Sequence, residues 1–493
     1  MIDTEALRKK VIDLAIQGKL TEQLPEDGNA EELYQQIQVE KTQLINEKKI
    51  KKEKPLPEIT AVEIPFEIPG NWKWVRLRDV CRKIVDGDHN PPTGINEPTE
   101  YLMLSAKNIN DDKIIEIDDV RYLTKEVFEE ENKRTNLEIG DVLLTIVATL
   151  GRSCVYREKY NVCFQRSVCV ITTLLNPDYL KRVFDAGFIQ KLMVEGATGA
   201  AQPGFYLNKV EKMCIPVPPL SQQKRIVAKI DEVLAEIKII DELQSQYASN
   251  VEVLKSKIID AGIRGQLTEQ LPEDGTAEEL LEECRKEKSK IKATGVLNGR
   301  KKKNTKSINE DEIPFSIPRT WKWVRLGDVA EIFGRIGFRG YNRKDIVEKG
   351  KGAITISPSN IINYGKTVFD KCTYLSWEKY DESPEIMIEE DDVIIVKTGS
   401  SYGKCGIVKD LPEKATINPQ LAVFKYILCD KCYLNYVLNS SMAKKQYDEF
   451  VVGAAIPTFS QEKLGNLCFP LPPLSEQKRI VAKIDSVLGA IGK

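Results

Sequence analysis

A long apolar stripe in the middle of the chain sets the first expectation for its architecture. Apolar residues recur there at steps of three and four over some 30 positions, the spacing of a helix with a coiled-coil seam. Ser221 is a good N-terminal cap, so we predict a helix from Ser221 to Arg264, about 65 Å long at the usual rise per residue. A rod of this length would act as a spacer between two globular parts. The stripe comprises Ile226, Ile230, Val233, Ile237, Ile240, Leu243, Tyr247, Val251, Leu254 and Ile258.

Two helical hairpins are predicted around a shared turn, Leu-Pro-Glu-Asp-Gly, at residues 24–28 and 271–275. Proline presets one dihedral angle of such a turn, and glycine permits a positive φ. A cap residue with Glu three positions later follows each turn and predicts the start of a second helix. Each second helix runs into a lysine-rich tail, 48–54 or 300–306, which is either a solvated linker or a phosphate contact.

Two stretches rich in proline and alternating apolar residues predict extended edge strands rather than helices. Residues 64–80 and 313–329 are identical at 13 of 17 positions, whereas the segments that follow, 81–139 and 330–390, share little beyond length. Strand-like segments with glycine-marked turns then return in both halves. The pattern predicts one mixed α/β fold used twice, with a constant frame and a variable face. We expect framework packing, rather than base stacking, for the four repeated tryptophans Trp72, Trp74, Trp321 and Trp323.

The repeats are arranged circularly. Residues 216–231 match 470–485 at 14 of 16 positions, and 18–28 match 265–275 at 10 of 11. The middle of the chain therefore contains both repeated segments, whereas the N-terminal end contains one of them and the C-terminal end contains the other. We predict a second long helix assembled from both chain ends, and a ring-like molecule with a pseudo-twofold axis and neighbouring termini.

The predicted fold class is α+β, with two mixed α/β domains in pseudo-twofold arrangement, separated by long helices that form an antiparallel coiled-coil spacer. The final helix is expected to pair with the N-terminal region. The boundaries give an N-terminal helical region at 1–62, a first domain at 63–217, a central helical region at 218–311, a second domain at 312–471 and a C-terminal helix at 472–493.

Composition limits the possible functions. The 493 residues carry 30% charged side chains but a net charge of only −2, which argues against a wholly basic nucleic-acid coat. It leaves room for base recognition by a few local groups. The N-terminus shows no signal pattern, no apolar run reaches membrane-spanning length, and eleven cysteines lack a spacing framework. We therefore expect a cytoplasmic protein with no membrane contact.

Motifs of catalysis are missing or incomplete. A single histidine, His89, excludes a multi-histidine metal site, and Asn90–Thr93 lacks the aromatic residue of the amino-methyltransferase motif Asn-Pro-Pro-aromatic. Gly365–Thr367 lacks the leading glycine of a phosphate loop, because Asn360 occupies that position. Cys429 and Cys432 form a single Cys-x2-Cys pair, for which two free thiols are favoured over zinc.

Two copies of Pro-x-Pro-Pro-Leu-Ser-(Gln/Glu)-Gln-Lys-Arg-Ile-Val, circularly related helical regions and two divergent domains resemble the specificity subunit of a type I restriction–modification system. The resemblance covers essentially the whole chain. It implies two target recognition domains that each read one half of an asymmetric bipartite site in double-stranded DNA. It also implies helices that separate these domains and dock two modification subunits.

The same resemblance implies that chemistry belongs to partner subunits. The modification subunits would bind S-adenosylmethionine and methylate adenine, and restriction subunits would add ATP-driven, Mg²⁺-dependent translocation and cleavage. This chain would hold no metal or cofactor and would not be an enzyme. A non-catalytic coiled-coil scaffold whose heads bind protein, or a DNA-binding adaptor of another defence system, is the alternative.

Candidate DNA contacts lie in polar turns or at strand ends, where Arg, Asn and Gln can form bidentate pairs with guanine and adenine. Turn-building roles are the competing explanation, and His89 in particular is a candidate cap of its own loop. In the first domain the candidates are Asp88, His89, Asn90, Lys107, Asn108, Arg152, Gln165, Arg166 and Gln202. In the second they are Arg335, Arg339, Tyr341, Asn342, Arg343, Asn360, Ser401, Tyr402, Lys404 and Gln420.

Subunit docking is expected on the exposed faces of the helical regions. Packing of each helix start against the Pro-Pro turn is the competing explanation for the recurrence of these residues. The docking candidates are Gln223, Lys224, Arg225, Gln477, Lys478 and Arg479.

Overall fold

The chain forms two compact units, Met1–Gln246 and Tyr247–Lys493. The computed structural model describes residues 1–110, 112–157, 160–199, 202–293, 307–335, 340–362, 365–453 and 456–491. No helix within these ranges is both long and apolar enough to cross a membrane. The basic tail predicted at 300–306 lies outside them.

The first unit contains helices at both ends of a strand-rich centre. Its last helix, α7, continues into the second unit. In chain order the elements are α1 (Thr4–Ile16), α2 (Ala30–Asn46), β1 (Lys73–Arg76), β2 (Cys81–Asp86), β3 (Tyr101–Leu104), β4 (Ile109–Asn110), β5 (Lys113–Ile114), β6 (Arg121–Tyr122), α3 (Lys125–Thr135), β7 (Val142–Thr145), β8 (Ser153–Val155), β9 (Asn161–Phe164), β10 (Val168–Thr173), α4 (Pro177–Asp185), α5 (Gly187–Glu195), α6 (Leu207–Val210), β11 (Cys214–Val217) and α7 (Leu220–Ile263).

An antiparallel sheet in the order β2-β10-β7-β8 forms the centre of the first unit. A second sheet, β6-β3-β9, pairs β3 with β9 in parallel, while β1 pairs with β11. Because side chains alternate along a strand, β7 serves two cores. Val142 and Leu144 pack with α1, α4 and the start of α7, and Leu143 packs on the opposite face with β3 and β9.

The second unit repeats this plan with additional strands. In chain order its elements after α7 are α8 (Ala277–Ala293), β12 (Lys322–Arg325), α9 (Leu326–Val329), β13 (Glu331–Phe333), β14 (Ile346–Val347), β15 (Gly352–Ile356), β16 (Ile361–Ile362), β17 (Gly365–Thr367), β18 (Thr373–Ser376), α10 (Trp377–Asp381), β19 (Met387–Ile388), β20 (Val393–Val396), β21 (Cys405–Ile407), β22 (Ala415–Ile417), β23 (Leu421–Lys425), α11 (Lys431–Leu438), α12 (Ser441–Phe450), α13 (Gln461–Gly465), β24 (Cys468–Leu471) and α14 (Leu474–Ile491).

The sheets of the two units correspond strand by strand. β13-β23-β20-β21 repeats β2-β10-β7-β8 and is extended by β17 and β16. The five-stranded sheet β14-β18-β15-β22-β19 contains the parallel pair β15 and β22, the counterpart of β3 and β9. β12 pairs with β24 in the register of β1 with β11, so that Trp323 faces Pro470 as Trp74 faces Pro216. The prediction of one mixed α/β fold used twice is confirmed.

The long central helix is also confirmed, with its start one residue earlier than predicted. α7 has 44 residues and begins at Leu220. Ser221 is not its cap, because the Ser221 hydroxyl donates to Asp27 Oδ1 at 2.8 Å instead. Of the predicted seam, Ile226, Ile230 and Ile237 are buried near the start of the helix, and Ile258 is half-buried near its end. The buried residues at that end are Ile259 and Ile263, which the predicted stripe did not include.

The middle of α7 departs from a continuously covered seam. Leu243, Tyr247 and Leu254 are 58%, 63% and 47% exposed. In the first unit α1 runs antiparallel to α7, with Ile2 bonded to Gln244 and Ile12 in the same core as Ile226. These contacts begin at Gln244 and extend back along α7.

The C-terminal helix packs within the second unit. Ile480 and Ile484 of α14 lie against Gly262, where a Cβ would come within 2.8 Å of Ile484. Glu476, one turn earlier, accepts hydrogen bonds from Thr268 and Gln270 beyond the end of α7. α14 is therefore antiparallel to this end of α7. Its pairing with the N-terminal region stays a prediction.

Each helical hairpin is locked to a distant helix start by one ion pair. Arg225 Nη1 and Nη2 donate to the two carboxylate oxygens of Asp27 at 2.5 and 2.6 Å, and Arg479 donates to Asp274 at 2.6 Å through both nitrogens. Ser221 and Ser475 add a hydroxyl donor at 2.8 Å to their respective carboxylates. We call each Asp–Arg–Ser group a clamp. It joins the conserved turn of one repeat to the Pro-Pro helix start of the other.

Solvent scarcely reaches the clamp carboxylates, which are 1% and 3% exposed. The guanidinium of Arg225, helped by the hydroxyl of Ser221, lowers the pKa of Asp27 to about 2 despite its burial. Arg479 and Ser475 likewise hold the pKa of Asp274 well below its usual range. Because both carboxylates bind protons less readily when folded, each clamp stabilises the fold above the pKa of an unfolded aspartate.

Beside each clamp lies a buried tryptophan. Trp72 Nε1 donates to Gln222 Oε1 at 2.8 Å, and Trp321 Nε1 donates to Glu476 Oε2 at 2.8 Å. Gln222 and Glu476 occupy equivalent positions in the first turns of α7 and α14. The framework role predicted for these two tryptophans is confirmed, since indole groups buried in this way cannot stack on DNA bases.

Replacing Asp27 with asparagine should lower the free energy of unfolding by about 1–2 kcal/mol at neutral pH, because it removes a clamp whose arginine is partly solvated. The difference from wild type should be complete above pH 4 and should shrink as the pH falls towards 2, where wild-type Asp27 also becomes protonated. Urea unfolding across this pH range measures it.

The matched control is Asp178→Asn, which removes the exposed ion pair of Asp178 with Arg157 and should leave the unfolding energy unchanged within about 0.5 kcal/mol. A loss at Asp27→Asn of the same size at every pH would contradict the ionic role of the clamp.

Candidate nucleic-acid interface

Loops from five parts of the first domain meet at one end of its sheets. Backbone N–H of Asp88, after β2, donates to Phe164 O at 2.8 Å, and Arg166 N–H donates back to Asp88 O at 2.8 Å. This crossing requires Gly87, because a Cβ there would collide with the Phe164 carbonyl. The loop after β2 and the turn between β9 and β10 are thereby fixed side by side.

Three further loops join the same end. Gln165 N–H donates to Leu104 O at 2.9 Å, which brings in the turn after β3. Ile146 N–H, after β7, donates to Ser167 O at 2.9 Å, and Ala148 N–H donates to Pro203 O at 3.0 Å beside Gln202. We call residues 87–90, 105–108, 146–152, 165–167 and 202–205 the first loop edge. The sequence-predicted candidates of the first domain all lie on it.

Their side chains differ in availability. Asn90, Arg152, Arg166 and Gln202 are exposed, and Asp88 and Gln165 are half-buried. Lys107 is exposed but bonded to Asp119 Oδ2 at 2.7 Å. The edge thus offers both donors and acceptors to a molecule lying across it.

His89 is bound within its own loop. Its Nε2 lies 2.8 Å from Oδ2 of the buried Asp86, whose other oxygen accepts from Arg134 Nη2 at 2.5 Å. This contact matches the competing explanation, in which His89 caps the loop. The ring is still 55% exposed.

The structure corrects the role of Asn108 and of its counterpart Asn360, because both amides are buried and internally bonded. Asn108 accepts from Ser105 N–H at 3.0 Å and donates to Ile115 O and Glu116 O at 3.2 Å. Asn360 accepts from Ser357 N–H at 2.9 Å and donates to Val368 O at 3.0 Å. Each amide builds the turn after the parallel strand and has no free hydrogen-bonding group for a base.

The second domain repeats the meeting of loops. Asn418 N–H donates to Ile356 O at 2.9 Å, and Lys397 N–H donates to Gln420 O at 2.8 Å. Phe459 N–H donates to Lys397 O at 3.1 Å, so the loop before α13 is included. We call residues 334–335, 340–343, 357–360, 397–404, 418–420 and 456–459 the second loop edge.

Arg335 is the least available candidate on the second loop edge. It is buried, donates to Ile417 O at 3.3 Å and Thr416 Oγ1 at 3.1 Å, and burial lowers the pKa of its guanidinium. Tyr341 packs on it, with the ring centre 5.5 Å from the guanidinium carbon. Arg335 therefore supports the edge rather than facing outward.

The remaining candidates of the second loop edge fall into three groups. Arg343 is exposed, and Ser401, Lys404 and Gln420 are half-buried. Asn342 is exposed but accepts from Lys344 N–H at 2.9 Å as the cap of a short turn, and Tyr402 donates to Asp448 Oδ1 at 2.7 Å. Arg339 lies outside the residues that the structure describes.

Sequence reasoning missed Lys397. It directly follows the buried strand β20, and its backbone bonds to two of the neighbouring loops. The available signal was a cation at the end of an apolar strand followed by Thr-Gly-Ser-Ser.

The six docking candidates fall into four residues with structural contacts and two that are exposed. Gln223 is buried, accepts from Asn176 N–H at 2.9 Å and donates to Pro218 O at 2.9 Å, and Gln477 makes the equivalent bonds to Asp430 and Pro472 at 2.8 Å. Their recurrence is explained by packing of the helix start, as is that of Arg225 and Arg479 in the clamps. The remaining candidates, Lys224 and Lys478, are exposed.

Metal binding finds no support in the described part of the chain, where no three His, Cys, Asp or Glu side chains are grouped to hold an ion. Cys429 and Cys432 form no disulfide, and burial raises the pKa of both thiols. The loop edges consist instead of hydrogen-bonding side chains on rigid strand ends, an arrangement suited to recognition.

Comparison with known proteins agrees with this geometry. The family described as "Type I restriction modification DNA specificity domain" matches residues 69–246 and 318–492. The EcoAI specificity subunit of Escherichia coli type I restriction enzyme is 25% identical over 99% of this chain and 89% of its own length. The MjaVIII specificity subunit of Methanocaldococcus jannaschii is 24% identical over 86% and 87%.

A solved chain from a study of complex assembly and conformational transition in the type I R-M system shares the fold. It superposes with a TM-score of 0.56 at 18% identity, covering 87% of this chain and 93% of the other. The family match covers well over half of the sequence, once in each unit. The protein therefore belongs to the type I restriction–modification DNA specificity family and carries two copies of the family's domain.

Proposed function

We propose that each loop edge reads one half of an asymmetric bipartite site in double-stranded DNA. The observation that carries this proposal is the repetition of one frame with two unlike edges. The same strands position both, yet Arg166 stands where the second edge has Pro419, and Ile146 stands where it has Lys397. Unlike side chains on like frames favour two different half-sequences.

The chemistry of the edges supports base reading. Arg is the usual bidentate partner of guanine and Gln of adenine in the major groove, while phosphate contacts mainly position the protein. Arg152, Arg166 and Gln202 are exposed on the first edge, and Gln420 and Lys404 are accessible on the second. Asn108, Asn360 and Arg335 are left out of this set because their polar groups serve the fold.

We further propose that the chain works in a complex with two modification subunits and with restriction subunits. S-adenosylmethionine, ATP and Mg²⁺ would be used by these partners, in the cytoplasm, while this chain supplies recognition alone. The exposed faces of the helices, including Lys224 and Lys478, are the proposed docking surfaces. α7 is the proposed determinant of the gap between half-sites. The scaffold alternative is not favoured, because both domains match a DNA specificity domain.

Co-expression with the cognate modification subunit should methylate adenines at a single motif of two unlike short halves separated by a fixed gap. The reason is that two different loop edges act on one DNA molecule. Mapping methylated adenines across the host genome measures it. A continuous or palindromic motif would contradict the two-edge proposal, and a stable, active complex without site-specific methylation would favour the scaffold.

Arg166→Ala should relax the motif in one half only, and Gln420→Ala in the other half only. Each substitution should cost about 1–3 kcal/mol of discrimination at one base pair, roughly 10- to 100-fold, because a bidentate contact is lost. The same methylation map measures both. Lys125→Ala, an exposed change at the far end of β3 from the loop edge, is the matched control and should leave the motif intact. Relaxation of both halves by either variant would contradict separate reading.

A further inference from the structure

Lys397 is a half-buried cation that has no counter-ion within the described part of the chain. Burial lowers the pKa of its amino group, and no other group contributes to that shift. Among the described residues, none forms an ion pair or hydrogen bond with its Nζ. The stretches of the second unit that the structure leaves undescribed contain no Asp or Glu in their sequence.

The position of Lys397 places this cation in the middle of the second loop edge. Its backbone is bonded to Gln420 and Phe459, and Thr458 Oγ1 donates to its carbonyl at 3.2 Å. Its side chain crosses the loop after β13, where a Cβ on Gly334 would lie 3.5 Å from Lys397 Cε. Three other loops therefore border Lys397, two of them at its backbone and one at its side chain.

The frame itself does not need a charge at this point. The equivalent position after β7 holds Ile146, which is 1% exposed in an otherwise matching arrangement of strands. A partly desolvated ammonium without a partner destabilises the fold, whereas an apolar side chain there would stabilise it. Such a residue is a candidate for a functional contact that supplies the missing acceptor.

A lysine ammonium only donates, so its partner in DNA must be an acceptor. In the major groove, guanine presents two acceptors, O6 and N7. Adenine presents one acceptor, N7, beside a donor, its N6 amino group. Phosphates are the other possible acceptors, but exposed cations such as Arg343 reach those without the cost of burial. A cation recessed among three loops is better placed for a base edge that enters between them.

We propose that Lys397 is a specificity-determining residue that reads a guanine in the half-site of the second domain. This inference rests on the proposed function of the loop edges and assigns one base to one side chain.

Two variants test it in the co-expressed complex. Lys397→Met keeps the apolar stem and should relax one G·C position of a single half-site by roughly 10- to 100-fold, because one base-specific contact is lost. Lys397→Gln should shift the preference at that position towards adenine, the usual partner of a glutamine side chain. Neither thermal unfolding midpoint should fall below that of wild type, since a buried unpaired charge is removed. Lys351→Met removes an exposed lysine paired with Glu348, at the start of β15, and is the matched control.

The outcomes are distinguishable. If wild type methylates a bipartite motif and both folded variants keep it unchanged, the inference fails and the proposed function stands. If the motif is unchanged while DNA binding weakens uniformly and its salt dependence falls by about one unit of slope, Lys397 contacts phosphate and the base assignment is overturned. If wild type itself shows no bipartite motif, both fall together.

Discussion

The clamp between an aspartate and an arginine holds together segments that lie about two hundred residues apart in sequence. Asp27 and Arg225 are separated by 198 positions, and Asp274 and Arg479 by 205. Closing loops of this length costs conformational entropy. A bidentate ion pair with a buried carboxylate and a serine donor favours one relative orientation of the two segments at that point. The remaining frame is arranged around these two junctions.

This constraint explains which segments repeat. The turn and the Pro-Pro helix start recur together because they are the two halves of one clamp, and β1 and β12 recur because they pair with the strands that lead into those helices. Residues elsewhere are free to differ. Arg182 pairs with Asp231 at 2.8 Å in the first unit, whereas Tyr436 donates a hydrogen bond to Asp485 at the equivalent place in the second. An ion pair in one unit and a hydrogen bond from a neutral hydroxyl in the other thus join equivalent helices.

At the loop edges, the same tolerance of sequence differences allows the two domains to carry different recognition side chains. Backbone hydrogen bonds between loops, together with a few buried side chains such as Asn108 and Arg335, fix the positions of the strand ends. An exposed side chain there can therefore change without moving the frame. Ile146 and Lys397 illustrate the consequence. One fills its site and stabilises the fold, while the other leaves a cation without a partner on the surface proposed to meet DNA.

The sequence was sufficient for the elements, their repetition and the frame, because apolar period, caps and turn chemistry act locally. It failed where the role of a polar side chain depends on distant backbone. Asn108 and Asn360 looked like base readers, and Gln223 and Gln477 like docking residues, but carbonyl and N–H groups elsewhere in the fold consume their amides. Lys397 was overlooked for the converse reason, since its environment, and not its neighbours in sequence, leaves it unpaired. The exposure of the middle of α7 likewise could not be inferred, because the apolar spacing of three and four residues continues through that part of the helix.

Hydrogen exchange of the full chain tests most directly whether the clamps hold the two frames. In Asp27→Asn, we expect faster exchange at 18–28, 72–77 and 216–231, with 265–275, 321–326 and 470–485 unchanged, and we expect the reverse in Asp274→Asn. Unchanged exchange at all six segments, or an equal increase in both sets from a single substitution, would contradict the account.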